Sequence, residues 1–455
     1  MAAKTNRVDM VNGPLWGKIF KFSITFMMTA ILQEMYSAAD IMVVGRYAGK
    51  AALAGVGTCS PIINLFLNLV TGIASGVTVV LGQALGENND KITKSAHTSI
   101  AVAACGGAII SCVCLFFTKP LLALINVPSN VIKEASTYLR IMACGYVPSL
   151  VYNFGAGILR AKGDAKRPLY IVMASGLINV GLNLVFVCVF KMGAGGVALA
   201  TVISKVFNGV TVLYILCNEQ DQTRIFLKKI RIYKEPFLKI LRFGLPSGIQ
   251  NSVYSLSNML VQSSINSFGA AAIAGSSAST SITNFYSVMG SSFYQSAIVF
   301  TSQNCGAKKF DRIKKTAFIC VVYNLCAWAL QSLITLCLGK VLIELYAPND
   351  PLVIEMGLRK FQFVGYTYGI LGLMHVLSGV LRGMGASIVN MFTSVIGVCG
   401  IRILWLLTVF KAIGTFESLF ACYPVSWFGT AIMHACMVIY IYKKRKAEAN
   451  EKLQI

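Results

Sequence analysis

An aspartate interrupts an oily stretch in "YSAADIMVVG", Tyr36–Gly45. Removal from water disfavours the charged form of a carboxylate, so such an acid is a candidate to bind and release a proton. It could equally hold Na⁺ beside neutral oxygens, because hard cations want oxygen ligands. Helical spacing puts Gln33, Tyr36, Ser37 and Asp40 on one polar face, which should point inward. Further oxygens occur later in the chain. "LINVGLNL" (Leu177–Leu184) places Asn179 and Asn183 one turn apart, and Thr201 lies in "ALATVIS" (Ala198–Ser204). Each alone is an ordinary helix-packing group; their conjunction with Asp40 makes a cation site. The plainer alternative is an interfacial Asp40 paired with Arg46 or Lys50. Glu34, six residues before Asp40, projects about 120° away and either pairs with a cation or lines a cleft.

Other polar groups sit within apolar runs. Arg402 ("GIRILW") reads as a paired arginine, Lys205 as a snorkelling lysine, and His375 as a satisfied interior histidine or a proton relay. Enzyme chemistry is not supported. "GAGGVALA" (Gly193–Ala200) follows no strand–turn–helix unit, no Walker lysine motif occurs, and serines such as those in "SFYQS" lack a base nearby.

The elements that must position these groups are membrane helices. Of 455 residues 56% are hydrophobic and only 13% charged, against about a quarter charged in soluble domains. Apolar runs long enough to cross roughly 30 Å of hydrocarbon recur from end to end, and strict β-barrel alternation is absent. About twelve spans are expected, near 15–44, 51–84, 95–118, 134–156, 168–190, 194–217, 237–267, 271–304, 314–340, 353–378, 388–411 and 416–442. The N-terminal stretch does not read as a cleavable signal peptide. Fourteen cysteines, most of them in oily runs, show no CxxC pair, so neither a disulfide framework nor a zinc site is expected. Basic loops account for the net charge of +23. They alternate with basic-poor loops and place both termini in the cytoplasm by the positive-inside rule. No nucleic-acid partner is expected.

The two halves resemble each other. "ALAGVG" (Ala52–Gly57) recurs as "AIAGSS" (Ala272–Ser277), and "GQALG" (Gly82–Gly86) as "SQNCG" (Ser302–Gly306), both shifted by 220. "GILRAKG" (Gly157–Gly163) recurs as "GVLRGMG" (Gly379–Gly385), shifted by 222. Three ordered matches at a nearly constant shift indicate an internal repeat. The expected fold is an all-α integral membrane protein of two six-helix bundles, related by a pseudo-two-fold axis along the membrane normal. Its parts are an N-lobe at 1–217, an inter-lobe linker at 218–236, a C-lobe at 237–442 and a basic tail at 443–455. Two facing bundles suit alternating access.

With "LQEMYSAADIMVVGRYAGKAALAGVG", "PIINLFLNLVTGIASGVTVVLGQALG" and "GILRAKGDAKRP" in this order, nearly the whole chain resembles the multidrug and toxic compound extrusion (MATE) transporters. The absence of an acid in the seventh span is similar to the DNA-damage-inducible F branch. The resemblance implies a cell-membrane antiporter that exchanges H⁺ or Na⁺ for hydrophobic, often cationic compounds, without a cofactor. It implies a cation-coupling cluster at Asp40, Asn179, Asn183 and Thr201. Gln33, Glu34, Tyr36, Tyr138 and Asn153 then fall at substrate-lining positions. A monomer binding small organic molecules within the bilayer is expected. Three departures stand out. Asn183 replaces an aspartate of some relatives, Glu34 stands where a neutral amide is expected, and Thr25 replaces a first-span proline whose repeat mate Pro246 is present. The competing readings are a flippase for lipid-linked precursors, which would carry a more cationic cavity, and a membrane receptor or scaffold.

Overall fold

The computed structural model describes residues 7–88, 91–125, 127, 131–346 and 350–454, and among these it is helical without strands. The long stretches are α1 (Trp16–Val43), α2 (Gly49–Glu87), α3 (Lys91–Phe116), α4 (the bent pair Ile132–Cys144 and Tyr146–Ala161), α5 (Lys166–Asn183) and α6 (Gly193–Cys217). The second half continues with α7 (Lys234–Asn266), α8 (Ala270–Gly306), α9 (Phe310–Glu344), α10 (Pro351–Gly383), α11 (Ser387–Ile413) and α12 (Cys422–Gln454). Among the described residues eight helices are long and apolar enough to cross a membrane, and nine when the pair in α4, bent by 46°, counts as one span. The other three, α1, α7 and α8, have 28, 33 and 37 residues but interrupt their apolar runs with polar side chains. Those three are the helices with most reason to face something other than lipid.

Local chemistry sets the helix ends. Asp350 caps α10 by accepting from the Val353 N–H at 3.2 Å, with Pro351 in the first turn. Asn88 closes α2 in the left-handed conformation, φ 50°.

The chain forms two compact units. Unit 1 comprises residues 1–8 and 28–248, and unit 2 comprises 9–27 and 249–455. The 218–236 linker lies wholly within unit 1, and α1 and α7 each contribute to both units. Pro246 lies inside α7, two residues before its division, and removes one backbone hydrogen bond there. In α1 the corresponding device is Thr25, whose hydroxyl donates to the Lys21 carbonyl at 2.8 Å, two residues before Met27. Such back-bonding to i−4 commonly bends a helix.

Within unit 1, α2 and the first half of α7 touch backbone to backbone. A Cβ on Gly72 would lie 2.2 Å from the Gly248 nitrogen, so only glycine allows this crossing. In unit 2, Gly275 of α8 meets Gly357 of α10 in the same way, at 2.5 Å. The unit 1 interior is filled by fully buried Val77, Leu81, Tyr146 and Phe154, and that of unit 2 by Phe361, Phe420 and Met374.

Outside the spans, unit 1 carries a compact ion cluster. Glu219, 4% exposed, accepts from Lys162 at 2.7 Å and also from Arg7 and Arg167. Asp221 accepts from Arg7 at 2.5 Å and Lys162 at 2.8 Å, and the buried Asp164 pairs with Arg167. Burial alone would push the Glu219 and Asp221 carboxyls up. The Lys162 ammonium, with Arg167 at Glu219 and Thr223 at Asp221, overrides this and holds both below the usual carboxylate range. With three cations and three acids the cluster is neutral, and the basic surplus of the chain lies elsewhere.

Candidate functional site

Unit 1 gathers the predicted cation cluster. Asp40, near the end of α1, is half-buried; Asn179 and Asn183 of α5 are buried, the latter completely. The Asn183 amide donates to Asp40 Oδ1, and to Asn179 Oδ1 at 3.3 Å. The Thr201 hydroxyl of α6 donates to the Val197 carbonyl at 2.9 Å and lies near Asp40. Two π-helical turns flank the cluster, Val44–Ala48 after α1 and Leu184–Val189 directly after Asn183. Such turns rotate side chains away from ordinary helical register and recur at functional sites.

Among the described residues no cation lies within ion-pair distance of Asp40. Arg46 rests instead over the Tyr47 ring, 5.8 Å from its centroid, and the Lys50 side chain lies outside the described residues. The nearest positive charge on Asp40 is Lys205, one helical turn after Thr201. Its ammonium sits 5.9 Å from the Tyr146 ring. Lys205 is thus turned inward and does not snorkel away. The i,i+4 spacing from Thr201 was the available signal.

Asn183 Oδ1 is buried without a hydrogen-bond partner. Leaving such an acceptor unmet costs about 1–3 kcal/mol. A monovalent cation between Asp40 and the Asn183, Asn179 and Thr201 oxygens would satisfy it. A proton on Asp40 could do the same, because rotating the Asn183 amide exchanges its donor and acceptor ends. The donor set, one carboxylate among neutral oxygens, fits a single positive charge.

The expected substrate-lining residues separate into two groups. Tyr36 and Tyr138 pack into the unit. The Tyr36 ring lies flush on Gly176, where a Cβ would come within 1.8 Å of it, and its hydroxyl donates to the Met173 carbonyl at 3.2 Å. Tyr138 is buried beside Cys59 and Ala198, close enough to Asp40 to feel its charge. Gln33, Glu34 and Ser37 are exposed on the unit, so of the expected inward face only Tyr36 and Asp40 are partly enclosed. Asn153 is half-buried, and its amide donates to the Ser149 carbonyl of its own helix at 2.8 Å.

Unit 2 shows the opposite chemistry. Lys360, Arg382 and Arg402 are buried, at 6%, 4% and 4% exposure, and each rests on neutral partners. Lys360 donates to the Ser276 hydroxyl at 2.7 Å, the Ser276 carbonyl at 3.0 Å and the Thr280 hydroxyl at 2.7 Å. Arg382 donates to Gln250 Oε1 at 2.8 Å and to the Tyr294 hydroxyl, and its Nε is buried without a partner. Arg402 donates to Asn258 at 2.8 Å and Ser426 at 3.1 Å, and lies 4.4 Å from the Tyr423 ring centroid. His375 packs 5.9 Å from the Tyr294 ring, and among the described residues its nitrogens make no hydrogen bond. It is not the satisfied histidine expected. Lys360 and Arg382 escaped the sequence reading, although Arg382 lies inside the repeated "GVLRGMG".

Known proteins match the sequence and the fold. The MatE family model matches residues 26–185 and again 246–407, so its two copies start 220 and end 222 residues apart, the shifts read from the motifs. A probable multidrug resistance protein, YoeA of Bacillus subtilis, is 25% identical over 86% of each chain. A probable multidrug resistance protein NorM of Thermotoga maritima is 23% identical over 85% of this chain and 84% of that one. Among solved structures, a MOP superfamily transporter from Pyrococcus furiosus, described as having a binding pocket of reverse polarity, superposes with a TM-score of 0.90 at 19% identity. The superposition covers 97% of this chain and 99% of that one. An outward-facing multidrug resistance MATE family transporter superposes at 0.89 and 18% identity, with the same coverage.

Proposed function

The chain belongs to the MatE family, and from that premise we propose that it is a secondary active multidrug exporter of the cell membrane, driven by exchange with H⁺ or Na⁺. Members of this family are membrane transporters, not enzymes. The observation that carries the antiport reading is Asp40: partly enclosed, bonded to the neutral Asn183 amide, free of an ion pair among the described residues, and beside an orphaned amide oxygen. Binding a proton or Na⁺ there neutralises the carboxylate and releases the Asn183 amide. The cluster then relaxes, and the grip on an organic cation against Tyr36 and Tyr138 weakens. Linkage makes the competition reciprocal: substrate expels the coupling cation as strongly as the cation expels substrate. Aromatic faces hold a desolvated organic cation by about 2 kcal/mol. The protein works by alternating access as a monomer, with both termini in the cytoplasm.

Proteoliposomes with separately imposed pH and Na⁺ gradients and ethidium as cargo test this. Wild-type protein should export under at least one gradient, and Asp40→Asn should reduce that component to the leak of empty vesicles. Gradient-driven export by Asp40→Asn at the wild-type rate would remove the mechanism. The buried cations of unit 2 favour one second reading, a flippase for a lipid-linked anionic precursor. Precursor flipping without ethidium export in the same vesicles would establish it.

A further inference from the structure

Unit 2 has eight acidic residues, Asp9, Asp311, Glu344, Asp350, Glu355, Glu417, Glu448 and Glu451, and none is buried. Its three buried cations therefore lack a buried countercharge from the unit's own side chains. Buried charges are ordinarily paired, and in membrane proteins an uncompensated one marks a ligand path.

Two of the three cations converge on one crevice by chains of aromatic rings. From Arg402 the path runs through Tyr423, whose ring centroid is 5.5 Å from Trp427, and then 5.6 Å on to Tyr368. From Arg382 it runs through Tyr294, 5.4 Å from the guanidinium carbon, and then 5.9 Å on to His375. Tyr368 and His375 both line a narrow crevice, open to solvent, among α8, α9 and α10. Tyr286, Asn324 and Gln331 line it as well. The rings of Tyr286 and Tyr368 meet edge to face, 6.0 Å apart. His375, which lines this space, has no hydrogen-bond partner among the described residues. The Asn324 and Gln331 amides already donate to the Gly369 and Tyr286 carbonyls, at 3.0 and 3.1 Å, so the crevice offers aromatic walls, an imidazole without a hydrogen-bond partner among the described residues, and two cations one or more rings behind its lining.

We propose that this crevice of unit 2 binds an aromatic organic anion, its ring against Tyr286 and Tyr368 and its acid group held by His375 in the field of Arg382 and Arg402. The aromatic walls select a flat ring over a bare phosphate headgroup. Arg402 acts as a positioning charge rather than a direct ligand, because its guanidinium is already engaged by Asn258, Ser426 and the Tyr423 face. That the anion is also cargo rests on the export reading above; that it binds does not.

The test is equilibrium binding of salicylate and of its neutral isostere salicylamide to the purified full-length protein in nanodiscs. No gradient is present. Salicylate should bind at least tenfold more tightly than salicylamide. Arg402→Gln should cut that preference at least fivefold, Arg402→Lys should keep it, and His375→Gln should weaken salicylate binding more than salicylamide binding. Equal or tighter binding of salicylamide to wild-type protein overturns the proposal, as does an unchanged preference in both Arg402→Gln and His375→Gln. If Arg402→Gln does not fold, the wild-type ordering and the His375→Gln variant still decide. Failure here leaves the export reading standing, and failure of the Asp40 experiment leaves this site standing.

Discussion

The two units are built from the same repeat, yet they handle buried charge in opposite ways. Unit 1 holds Asp40 among neutral amides, with Lys205 the nearest positive charge. Unit 2 holds Lys360, Arg382 and Arg402 among hydroxyls, amides and aromatic faces, with its acids all outside the core. Outside the spans, unit 1 shows a third arrangement, in which Glu219, Asp221 and Asp164 meet Lys162, Arg167 and Arg7 directly. The contrast separates two uses of charge. Pairs that are fully matched fasten segments together. Single charges on neutral partners keep an unsatisfied field that a mobile ligand can answer.

Breaking the matched cluster should have the largest effect on stability. Glu219→Gln leaves Lys162 with Asp221 and Arg167 with Asp164 only, and should destabilise unit 1 by roughly 1.5–3 kcal/mol, read as a fall in thermal midpoint in detergent. The same cluster sets a pH dependence. The Glu219 and Asp221 carboxyls titrate lower when folded than when unfolded. Their stabilisation is therefore complete above the unfolded carboxylate values, near pH 4, and is lost as pH falls through the folded ones. Melting curves should be flat from neutral pH to about 5 and drop below that, with Glu219→Gln showing a smaller drop.

An intermediate effect should follow from adding charge to the single-acid site. Asn183→Asp places a second carboxylate beside Asp40 and makes the donor set suit Na⁺ better. Export should then become more Na⁺-dependent by about tenfold in half-saturating Na⁺, or about 1.4 kcal/mol. An unchanged Na⁺ response would show that Asn183 does not face the ion. The smallest effect is expected at Tyr36→Phe, which removes one hydrogen bond to the Met173 carbonyl and keeps the ring on Gly176. It should cost about 1 kcal/mol and alter ethidium affinity less than tenfold.

Much of the architecture could be read from the chain because membrane helices declare themselves by length and hydropathy, and because the repeat survives in small residues. Gly275, in the repeated "AIAGSS", is held by a backbone contact with Gly357 that no larger residue permits. Asp40 was visible as a lone charge in an oily run, Asn183 through its one-turn spacing from Asn179, and Thr201 as a further oxygen in the next span. Three features were hidden. The inward turn of Lys205 had only its one-turn spacing from Thr201 as a signal, since a long flexible stem points either way with equal ease. Lys360 and Arg382 were passed over for the same reason: composition shows a cation near a span but not the pocket that swallows its head. The sharing of α1 and α7 between units leaves no hydropathy mark, and only Pro246 and the back-bonded Thr25 hint at where each helix divides.

The central claim is that substrate and coupling cation exclude one another at Asp40. Titrating ethidium into weakly buffered, detergent-solubilised protein and recording protons released, with and without Na⁺, measures this without a membrane. Wild-type protein should release protons on binding ethidium, or bind it progressively more weakly as Na⁺ rises, and Asp40→Asn should do neither. Ethidium binding by wild-type protein with no proton release and no response to Na⁺, or identical behaviour from Asp40→Asn, would contradict it.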